Sequence, residues 1–186
     1  MRIIAGRFKG LALTAVGKGD KGAHLRPTTD RVRESLFNLL MGGRFGDPVS
    51  DAIVLDLFAG TGALGLEALS RGASHVTFVD NGRAAGKLLG ANIAKVQAGA
   101  QTKVISRDVT RPALALSAPA TLVFLDPPYG GDLGGKALLS NDASIAADAF
   151  VVWEDSVEHL PPVGYHRMDA RKYGDTWLTL LRKMPS

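Results

Sequence analysis

The sequence contains no cysteine, and this absence excludes several kinds of chemistry. Disulfide bonds and zinc sites with thiolate ligands cannot form. Enzymes whose nucleophile is a Cys thiolate are excluded as well, including those that methylate a pyrimidine ring through a covalent adduct. The chain has four histidines whose positions show no spacing typical of metal ligands, so we expect no metal site; they are His24, His75, His159 and His166.

Long hydrophobic runs are also absent. No apolar run approaches the ~20 residues that a membrane-spanning helix needs, and the first residues lack the apolar stretch of a secretory signal. We therefore expect a soluble, cytoplasmic protein that does not bind membranes. We also expect a monomer, although no pattern in the sequence sets the oligomeric state. The 186 residues are 46% hydrophobic and 22% charged, and no repeat or linker divides them, so we expect a single domain over residues 1–186.

The excess of positive charge lies in the first 50 residues. They contain nine Lys and Arg against four Asp and Glu, whereas the rest of the chain has one more acid than base, for a net charge of +4. A basic segment attached to a near-neutral domain is typical of nucleic-acid binding. A solvated basic face is the alternative.

The basic segment also carries structural signals. Residues 2–13 form two short apolar stretches broken by glycines, which predicts a hairpin with basic side chains at its turn, and residues 17–24 predict a loop. Residues 1–25 would then form an N-terminal extension. The helix that follows should end at Gly42-Gly43. Its predicted apolar stripe is Val32, Leu36, Leu39 and Leu40, with Arg31, Arg33 and Glu34 off that stripe.

A strand, a glycine-rich turn and a helix follow one another in the middle of the chain. Residues 53–58 form a short apolar run, and a helical pattern covers residues 66–70. Between them, Gly60, Gly62 and Gly65 have the spacing G-x-G-x-x-G, in which missing Cβ atoms let a ligand approach the backbone and let the helix pack on the strand. Taken alone, this pattern is a weak indication of a nucleotide-type cofactor.

Acidic residues close or follow four successive strand candidates. The strands are predicted at residues 53–58, 76–79, 102–106 and 121–125, and the acids are Asp56, Asp80, Asp108 and Asp126. Asp80 stands twenty positions after Gly60, where a carboxylate can accept hydrogen bonds from ribose hydroxyls. Ligands of open α/β sheets bind beyond the carboxyl ends of the strands, where the strand order reverses. If the first and fourth strands are neighbours, the glycine turn and Asp126 share one crevice.

The fourth strand candidate runs directly into Asp126-Pro127-Pro128-Tyr129, which we call the ledge. The prolines have no N–H and a φ fixed near about −65°, so the segment is stiff, rich in acceptors and poor in donors. The Asp126 carboxylate and the Pro127 carbonyl could accept both hydrogens of an exocyclic amine while Tyr129 stacks on its ring. A proline-stiffened turn that only leaves a buried strand is the alternative.

Beyond the ledge, residues 130–135 include four glycines and predict either a flexible loop that closes over a substrate or a surface connection. A helix is predicted at residues 136–147 and a strand at residues 150–153. Strands at residues 165–171 and 176–181 flank Tyr173-Gly174-Asp175 as a hairpin. Trp153 and Trp177 are predicted to lie in the core.

The glycine turn and the ledge together carry a family resemblance. Residues 56–62, with the sequence DLFAGTG, and the ledge resemble the S-adenosylmethionine-dependent amino-methyltransferases. Residues 26–38, RPTTDRVRESLFN, resemble the bacterial 16S ribosomal RNA guanine-N2 methyltransferases of the RsmD type, whose target is guanine 966. The resemblance runs from Arg2 to the hairpin at residues 173–175. The ledge indicates N-methylation in general, and residues 26–38 narrow the resemblance to this family.

The resemblance implies an α/β fold of the Rossmann-like class I methyltransferases. Its seven-stranded, mostly parallel sheet would have helices on both faces, one antiparallel strand near an edge, and a small N-terminal β-hairpin that binds RNA. The implied reaction is methyl transfer from S-adenosyl-L-methionine to 16S rRNA or the small ribosomal subunit.

The resemblance also implies roles for individual residues. The methionine part of the cofactor would lie on Asp56, Phe58, Gly60 and Gly62, its ribose on Asp80, and its adenine on Asp108 and the Val109 backbone. Asp126 would lie between cofactor and base, and Pro127, Pro128 and Tyr129 would complete the catalytic ledge. The RNA would contact Arg2, Arg7, Lys9, Arg26, Thr28 and Arg31.

Three alternatives stay open. The ledge does not separate N2 of guanine from N6 of adenine or N4 of cytosine in DNA or RNA, because each is an exocyclic amine. An NAD-dependent Rossmann oxidoreductase would use the same glycine turn and Asp80, but has no use for the ledge or the basic segment. A non-catalytic RNA-binding module would explain the charge and leave the strand-end acids without a role.

Overall fold

The computed structural model describes residues 1–14, 29–111, 116–128 and 131–185. In these residues seven strands form one sheet with the order β3-β2-β1-β4-β5-β7-β6. The first five strands are parallel, and β7 runs antiparallel between β5 and β6. The strands are β1 Ile53–Leu57, β2 His75–Asp80, β3 Thr102–Ser106, β4 Ala120–Leu125, β5 Ile145–Asp155, β6 Tyr165–Tyr173 and β7 Thr176–Lys183. The predicted seven-stranded sheet with one antiparallel strand near an edge is confirmed.

Helices cover both faces of the sheet, as predicted. The described helices are α1 Asp30–Met41, α2 Ala63–Ser70, α3 Arg83–Lys95 and α4 Leu133–Ser140. Leu36 of α1, Leu66 of α2 and Leu89 of α3 are buried in one cluster with Phe78 and Phe124 of the sheet. Helix α4 contributes Ala137 and Leu138 to a second cluster on the opposite face. The central strands are therefore buried on both faces, which explains their nearly continuous apolar sequences. No described helix is long and apolar enough to cross a membrane.

The predicted helix at residues 136–147 is wrong at both ends. Helix α4 begins at Leu133 and ends at Ser140, and Ile145 already belongs to β5. The amide of Asn141 donates to the carbonyl of Ala137 at 2.7 Å and to that of Val109 at 2.8 Å. A side chain that binds the carbonyls of the last turn competes with continuation of the helix.

The glycines after the ledge do not all form a loop. Gly134 and Gly135 lie in the first turn of α4. A Cβ at Gly134 would stand 2.4 Å from the indole of Trp153, so this glycine permits the helix to pack directly on the ring. Trp153 is buried, as predicted, whereas Trp177 is only partly buried. Gly130 and residues 17–24 lie outside the described residues.

Arg33 does not lie on the outer side of α1 as predicted. Its side chain is fully buried. It donates to the carbonyl of Arg2 and to Asp30 Oδ1 at 3.0 Å, and its Nε lies 3.6 Å from Glu67 Oε2. Glu67 belongs to α2, so the periodicity of α1 gave no sign of this partner.

Of the predicted stripe of α1, Leu36 and Leu40 are fully buried and Val32 and Leu39 partly buried; Phe37, which the stripe did not include, is also fully buried. The C-cap is Gly42, as predicted.

The N-terminal hairpin lies flat against the helices. Ile3 N–H donates to Leu11 O at 3.0 Å and Gly10 N–H to Ile3 O at 2.9 Å, while Arg2 and Ala12 form a single antiparallel bridge. The fully buried carboxylate of Glu67 in α2 accepts from Ile4 N–H at 2.8 Å and from Ala5 N–H at 3.1 Å. The hairpin is thus attached to the domain by backbone hydrogen bonds.

The turn of the hairpin contacts the last residue of α2. Ser70 O accepts from Arg7 N–H at 2.8 Å, and Ser70 Oγ accepts from Phe8 N–H at 3.0 Å. At Gly6 φ is +79°, and a Cβ there would stand 1.9 Å from Ser70 O. Only glycine fits between the turn and the helix.

We predict that Glu67→Gln lowers the free energy of unfolding by about 3–5 kcal/mol, because a buried pair that loses one member leaves an uncompensated charge. The glutamine side chain would also place an NH₂ group where a carboxylate oxygen now accepts hydrogen bonds. That group would face other donors, namely a backbone N–H of the hairpin and an arginine, such as Arg71, whose Nε lies 2.7 Å from Glu67 Oε1. Urea unfolding measures the change.

The control is Asp30→Asn, which removes the other acid from Arg33. The Asp30 side chain is 39% exposed, so its loss should cost less than about 1 kcal/mol. Equal losses in the two variants would show that Glu67 does not hold the hairpin and α1 in place.

Candidate cofactor and substrate site

The strand order reverses between β1 and β4. The chain proceeds from β1 to β2 and β3 on one side, and from β4 to β5 on the other. Leu57 and Leu125 are paired in register, so Phe58 and Asp126 follow neighbouring strands at the carboxyl edge of the sheet. Asp126 N–H lies 3.5 Å from Leu57 O, a long hydrogen bond. The predicted pairing of the first and fourth strands is confirmed, so the glycine turn and the ledge begin side by side, and we call the region between them the crevice.

The glycine turn is held by the end of β2. Gly60 N–H donates to Asp80 Oδ2 at 2.8 Å, and Ala59 N–H donates to Val79 O at 3.2 Å. Gly60 and Gly62 have φ of +55° and +79°, which glycine adopts without cost. Phe58 has φ of +60°, an uncommon value for a bulky side chain. The surrounding contacts therefore fix a turn that would be strained in isolation.

Gly62 and Gly65 allow close packing behind the turn. A Cβ at Gly62 would stand 2.4 Å from Leu89 Cδ1, and a Cβ at Gly65 would stand 2.4 Å from the ring of Phe78. A methyl group at Gly65 would push α2 away from the sheet, whereas one at Gly62 would displace the Leu89 side chain of α3 and strain a backbone with φ of +79°. Gly65, the third glycine of the pattern, therefore lets the helix pack closely on the strand, as expected.

Asp56 lies beneath this turn and is 1% exposed. Its Oδ2 accepts from Gly65 N–H at 3.0 Å, at the first turn of α2. Burial raises the pKa of Asp56 to about 8; the charge of Asp80 adds to this, and the bond from Gly65 opposes it. A carboxyl group that titrates near neutral pH thus supports the turn from below.

Asp80 and Asp108 occupy the ends of the next two strands. Asp80 is partly buried, and its oxygens accept from Gly60 N–H at 2.8 Å and Gly82 N–H at 2.7 Å. Asp108 is exposed, and hydrogen bonds from the N–H and hydroxyl of Thr110, at 2.9 and 2.7 Å, lower its pKa. Each carboxylate oxygen has two lone pairs, so both acids keep acceptor capacity for a ligand. Val109 is buried next to Asp108, and its carbonyl accepts from the amide of Asn141 at 2.8 Å.

The ledge begins at the end of β4. Asp126 is partly buried, Pro127 is buried and Pro128 is exposed. Asp126 is held against β1 through its N–H, while the prolines limit the backbone beside it. Tyr129 lies outside the described residues, as do Arg26 and Thr28. The roles of the ledge residues and of the cofactor acids stay predictions.

Glu154 is a residue of this edge that the sequence analysis did not single out. It is 3% exposed and lies at the end of β5. Leu125 of β4 pairs with Trp153 of β5, so the next residues of the two strands, Asp126 and Glu154, are neighbours at the same edge of the sheet. An acid is rarely buried so completely without a specific partner. The sequence does carry a signal for it, because Glu154 directly follows the strand predicted at residues 150–153. The pattern of acids at strand ends was applied only to the first four strands.

The basic side chains of the hairpin do not gather at the crevice. Arg7 and Lys9 are exposed at its turn, which contacts Ser70 at the carboxyl end of α2. The guanidinium of Arg7 donates to Gln101 Oε1 at 2.6 Å. Because α2 begins at the glycine turn, these residues lie at the opposite end of that helix. Arg2 and Arg31 are also exposed.

Within the described residues, no group of three or more His, Cys, Asp or Glu side chains is arranged to hold a metal ion. The acids of the carboxyl edge instead bind backbone N–H groups, as Asp56, Asp80 and Asp108 do. Their arrangement suits a ligand that carries hydrogen-bond donors or positive charge.

Comparison with known proteins shows what the chain is similar to. A family model described as conserved hypothetical protein 95 matches residues 1–182. The chain is 39% identical over 166 residues to "Ribosomal RNA small subunit methyltransferase D" of Escherichia coli K12, which covers 88% of this chain and 79% of that protein. It is 36% identical over 192 residues to "Putative rRNA methyltransferase YlbH" of Bacillus subtilis 168, which covers 98% and 99%. The solved structure of "Putative methyltransferase yhhF" from Escherichia coli matches with a TM-score of 0.81 at 33% identity, covering 100% and 99%. The predicted Rossmann-like class I methyltransferase fold is confirmed.

We predict that Asp56 makes the protein less stable as the pH rises. The pKa of its carboxyl group is about 8 in the folded protein and 3.8 without the shift, so folding favours the protonated form. That contribution is fully present below about pH 4 and is lost as the pH rises through about 8. Relative to Asp56→Asn, the wild type should lose on the order of 3 to 5 kcal/mol between pH 4 and pH 9.

Urea unfolding of both proteins across this pH range measures the difference. Asp175→Asn, at an exposed position of the β6–β7 hairpin, is the control and should leave the pH profile unchanged. A constant difference between wild type and Asp56→Asn from pH 4 to pH 9 would contradict the assignment.

Proposed function

The chain belongs to the conserved hypothetical protein 95 family, and from this membership we propose that it transfers a methyl group from S-adenosyl-L-methionine to N2 of a guanine in 16S rRNA. The observation that carries the proposal is the parallel pairing of β1 with β4, which starts the glycine turn and the acceptor-rich ledge from the paired residues Leu57 and Leu125. Relatives named as ribosomal RNA small subunit methyltransferases support the choice of rRNA. The family resemblance points to guanine 966.

The residues of the crevice fit S-adenosyl-L-methionine by their chemistry. Its donors are an ammonium group, two ribose hydroxyls and an adenine amino group, and the strand ends supply acceptors. We assign the ribose to Asp80, the adenine to Asp108 and the Val109 backbone, and the methionine part to Phe58, Gly60, Gly62 and Asp56. The absence of side chains at Gly60 and Gly62 leaves their backbone open to close approach.

The cofactor supplies a methyl group that its positive sulfonium sulfur has already activated. The protein must therefore mainly hold the guanine nitrogen in line with that methyl group, at roughly 3 to 3.5 Å. The Asp126 carboxylate and the Pro127 carbonyl accept the two N–H groups of the amine and fix its orientation. The backbone bond from Asp126 to Leu57 of β1 and the burial of Pro127 support a ledge whose backbone is in place before the base arrives.

The same acceptors stabilise the positive charge that grows on the nitrogen during the transfer. The proton can leave after the methyl group has moved, so no strong base is needed. A guanine must leave its stack to reach the ledge, at a cost of about a few kcal/mol. Stacking on Tyr129 offsets part of this cost.

The other candidate functions are less well supported. An NAD-dependent oxidoreductase would share the glycine turn and Asp80, but the relatives are named as methyltransferases. Calorimetry with S-adenosylhomocysteine and with NAD distinguishes the two cofactors. N6-adenine or N4-cytosine methylation would use the same ledge chemistry, so it is tested by identifying the methylated base.

The proposed substrate is tested on small ribosomal subunits from a strain that lacks the enzyme. The subunits, and the 16S rRNA extracted from them, are incubated with the protein and a radioactive methyl donor, and the labelled nucleotide is mapped. The expected product is N2-methylguanine at a single position. Label on adenine or cytosine would overturn the choice of base, and RNA binding without any label would favour the non-catalytic module.

We predict that Asp126→Ala reduces turnover by at least ~100-fold and keeps most of the affinity for S-adenosylhomocysteine, because Asp126 acts on the base. Methyl incorporation into subunits measures turnover, and calorimetry measures the affinity. Asp175→Ala serves as the control and should leave both unchanged. Near-normal turnover with collapsed cofactor affinity would show that the role is wrong.

We predict that Arg7→Gln weakens RNA binding and lowers the slope of log affinity against log salt by about one unit, because each phosphate contact releases about one counterion. Binding of 16S rRNA is measured at a series of salt concentrations. Lys172→Gln, on the edge strand β6, is the matched control. An unchanged slope in the Arg7 variant would exclude this residue from the RNA footprint.

A further inference from the structure

Asn92 of α3 is fully buried, and no sequence motif draws attention to it. Its Nδ2 donates to the carbonyl of Thr61 at 2.9 Å and to the carbonyl of Thr14 at 3.1 Å, and its Oδ1 accepts from Thr14 N–H at 2.7 Å. These partners fix the orientation of the amide, because a flipped amide would direct its NH₂ group at a donor. One side chain thus joins three backbone groups.

The two segments that Asn92 joins have different proposed ligands. Thr61 lies between Gly60 and Gly62 in the turn assigned to the cofactor. Thr14 directly follows the hairpin that carries Arg2, Arg7 and Lys9, which we propose contact RNA. The amide therefore joins the proposed cofactor turn to the segment that carries these basic residues.

Further contacts attach the same segment to the same elements. The Met1 sulfur lies 3.8 Å from the hydroxyl of Thr61. Lys95, one turn after Asn92, donates to the Thr14 hydroxyl at 2.7 Å. At the other end of the hairpin, Glu67 binds the backbone of residues 4 and 5. Residues 1 and 14 and the glycine turn are thus parts of one unit of contacts, whereas Glu67 and Ser70 hold the turn end of the hairpin to α2.

We propose that Asn92 is a positioning residue through which RNA on the N-terminal segment and cofactor in the glycine turn strengthen each other's binding. The inference rests on the proposed function. Each ligand needs its own segment in a single arrangement, and the amide can make all three bonds only when both segments are in place. Fixing the two segments in one arrangement costs conformational entropy. The ligand that binds first pays for this ordering, so the second ligand binds more tightly, and the effect is the same in either order of binding.

The test measures the dissociation constant of radioactive S-adenosylhomocysteine by equilibrium dialysis, with and without saturating unmethylated 16S rRNA. RNA should lower this constant about tenfold for the wild type and leave it nearly unchanged for Asn92→Ala. The ratio of the two constants is the readout, since a general loss of stability would change both. At saturating cofactor and RNA, the variant should retain its turnover while its KM for the cofactor rises.

Lys95→Met is the matched control. It removes contacts to Thr14 and Ala12 from the same helix but does not touch the glycine turn, so it should keep the tenfold ratio. A wild-type ratio of one, or an Asn92→Ala ratio equal to that of the wild type, would overturn the inference. If the protein binds S-adenosylhomocysteine and RNA and methylates the RNA, that failure leaves the proposed function intact. Lack of S-adenosylhomocysteine binding would overturn the proposed function and the inference together.

A measurement without a variant covers the case in which Asn92→Ala fails to fold. In the wild type, S-adenosylhomocysteine alone should slow hydrogen exchange of the Thr14 N–H, which donates to Asn92. The Arg7 N–H, bonded at 2.8 Å to Ser70 O far from the turn, should exchange at an unchanged rate. Equal effects on both amides, or none on Thr14, would contradict the coupling through Asn92.

Discussion

The buried carboxylate of Glu67 joins segments that are far apart in the sequence. It accepts from the backbone of residues 4 and 5 and lies within ion-pair distance of Arg33 in α1 and Arg71 after α2. Two cations and two backbone donors around one carboxylate offset the desolvation that an isolated buried charge would suffer. Because α2 begins at the glycine turn and carries Glu67 in its middle, the same helix supports both the glycine turn and the hairpin.

The carboxyl edge of the sheet has a different electrostatic character. Asp56, Asp80, Asp126 and Glu154 lie at or near the ends of four adjacent strands. Burial is the main reason that the pKa of Asp56 is raised, and the charge of Asp80 adds to it. A row of buried and partly buried acids is unfavourable to the folded protein by itself. It becomes favourable around a ligand with an ammonium group, a sulfonium sulfur and several donors. The cost in the free protein is therefore consistent with an edge built for binding.

The sequence predicted the features that depend on neighbours in the chain. Such local patterns are four of the strand candidates, the glycine spacing and the ledge. The pairing of the first and fourth strands was a condition for placing the strand-end acids in one site, and the structure meets that condition. Arg33 was misplaced because its partner Glu67 is 34 positions away. Asn92 was missed for the same reason, since a single amide in a helix gives no sign of the backbone groups it will join. The end of α4 is set by Asn141, which donates to the carbonyl of Val109. The spacing of apolar residues along the helix gives no sign of that bond.

The position of the hairpin changes how the basic segment is understood. Arg7 and Lys9 are predicted to contact RNA, and their turn lies against Ser70, at the end of α2 that is opposite the glycine turn. Arg33 adds nothing to an external basic surface, because its charge is compensated inside the protein. The hairpin is nevertheless bonded to α2 through Glu67 and Ser70, and residue 14 is bonded through Asn92 to the glycine turn. A ligand on the hairpin would therefore act on the elements to which we assign the cofactor.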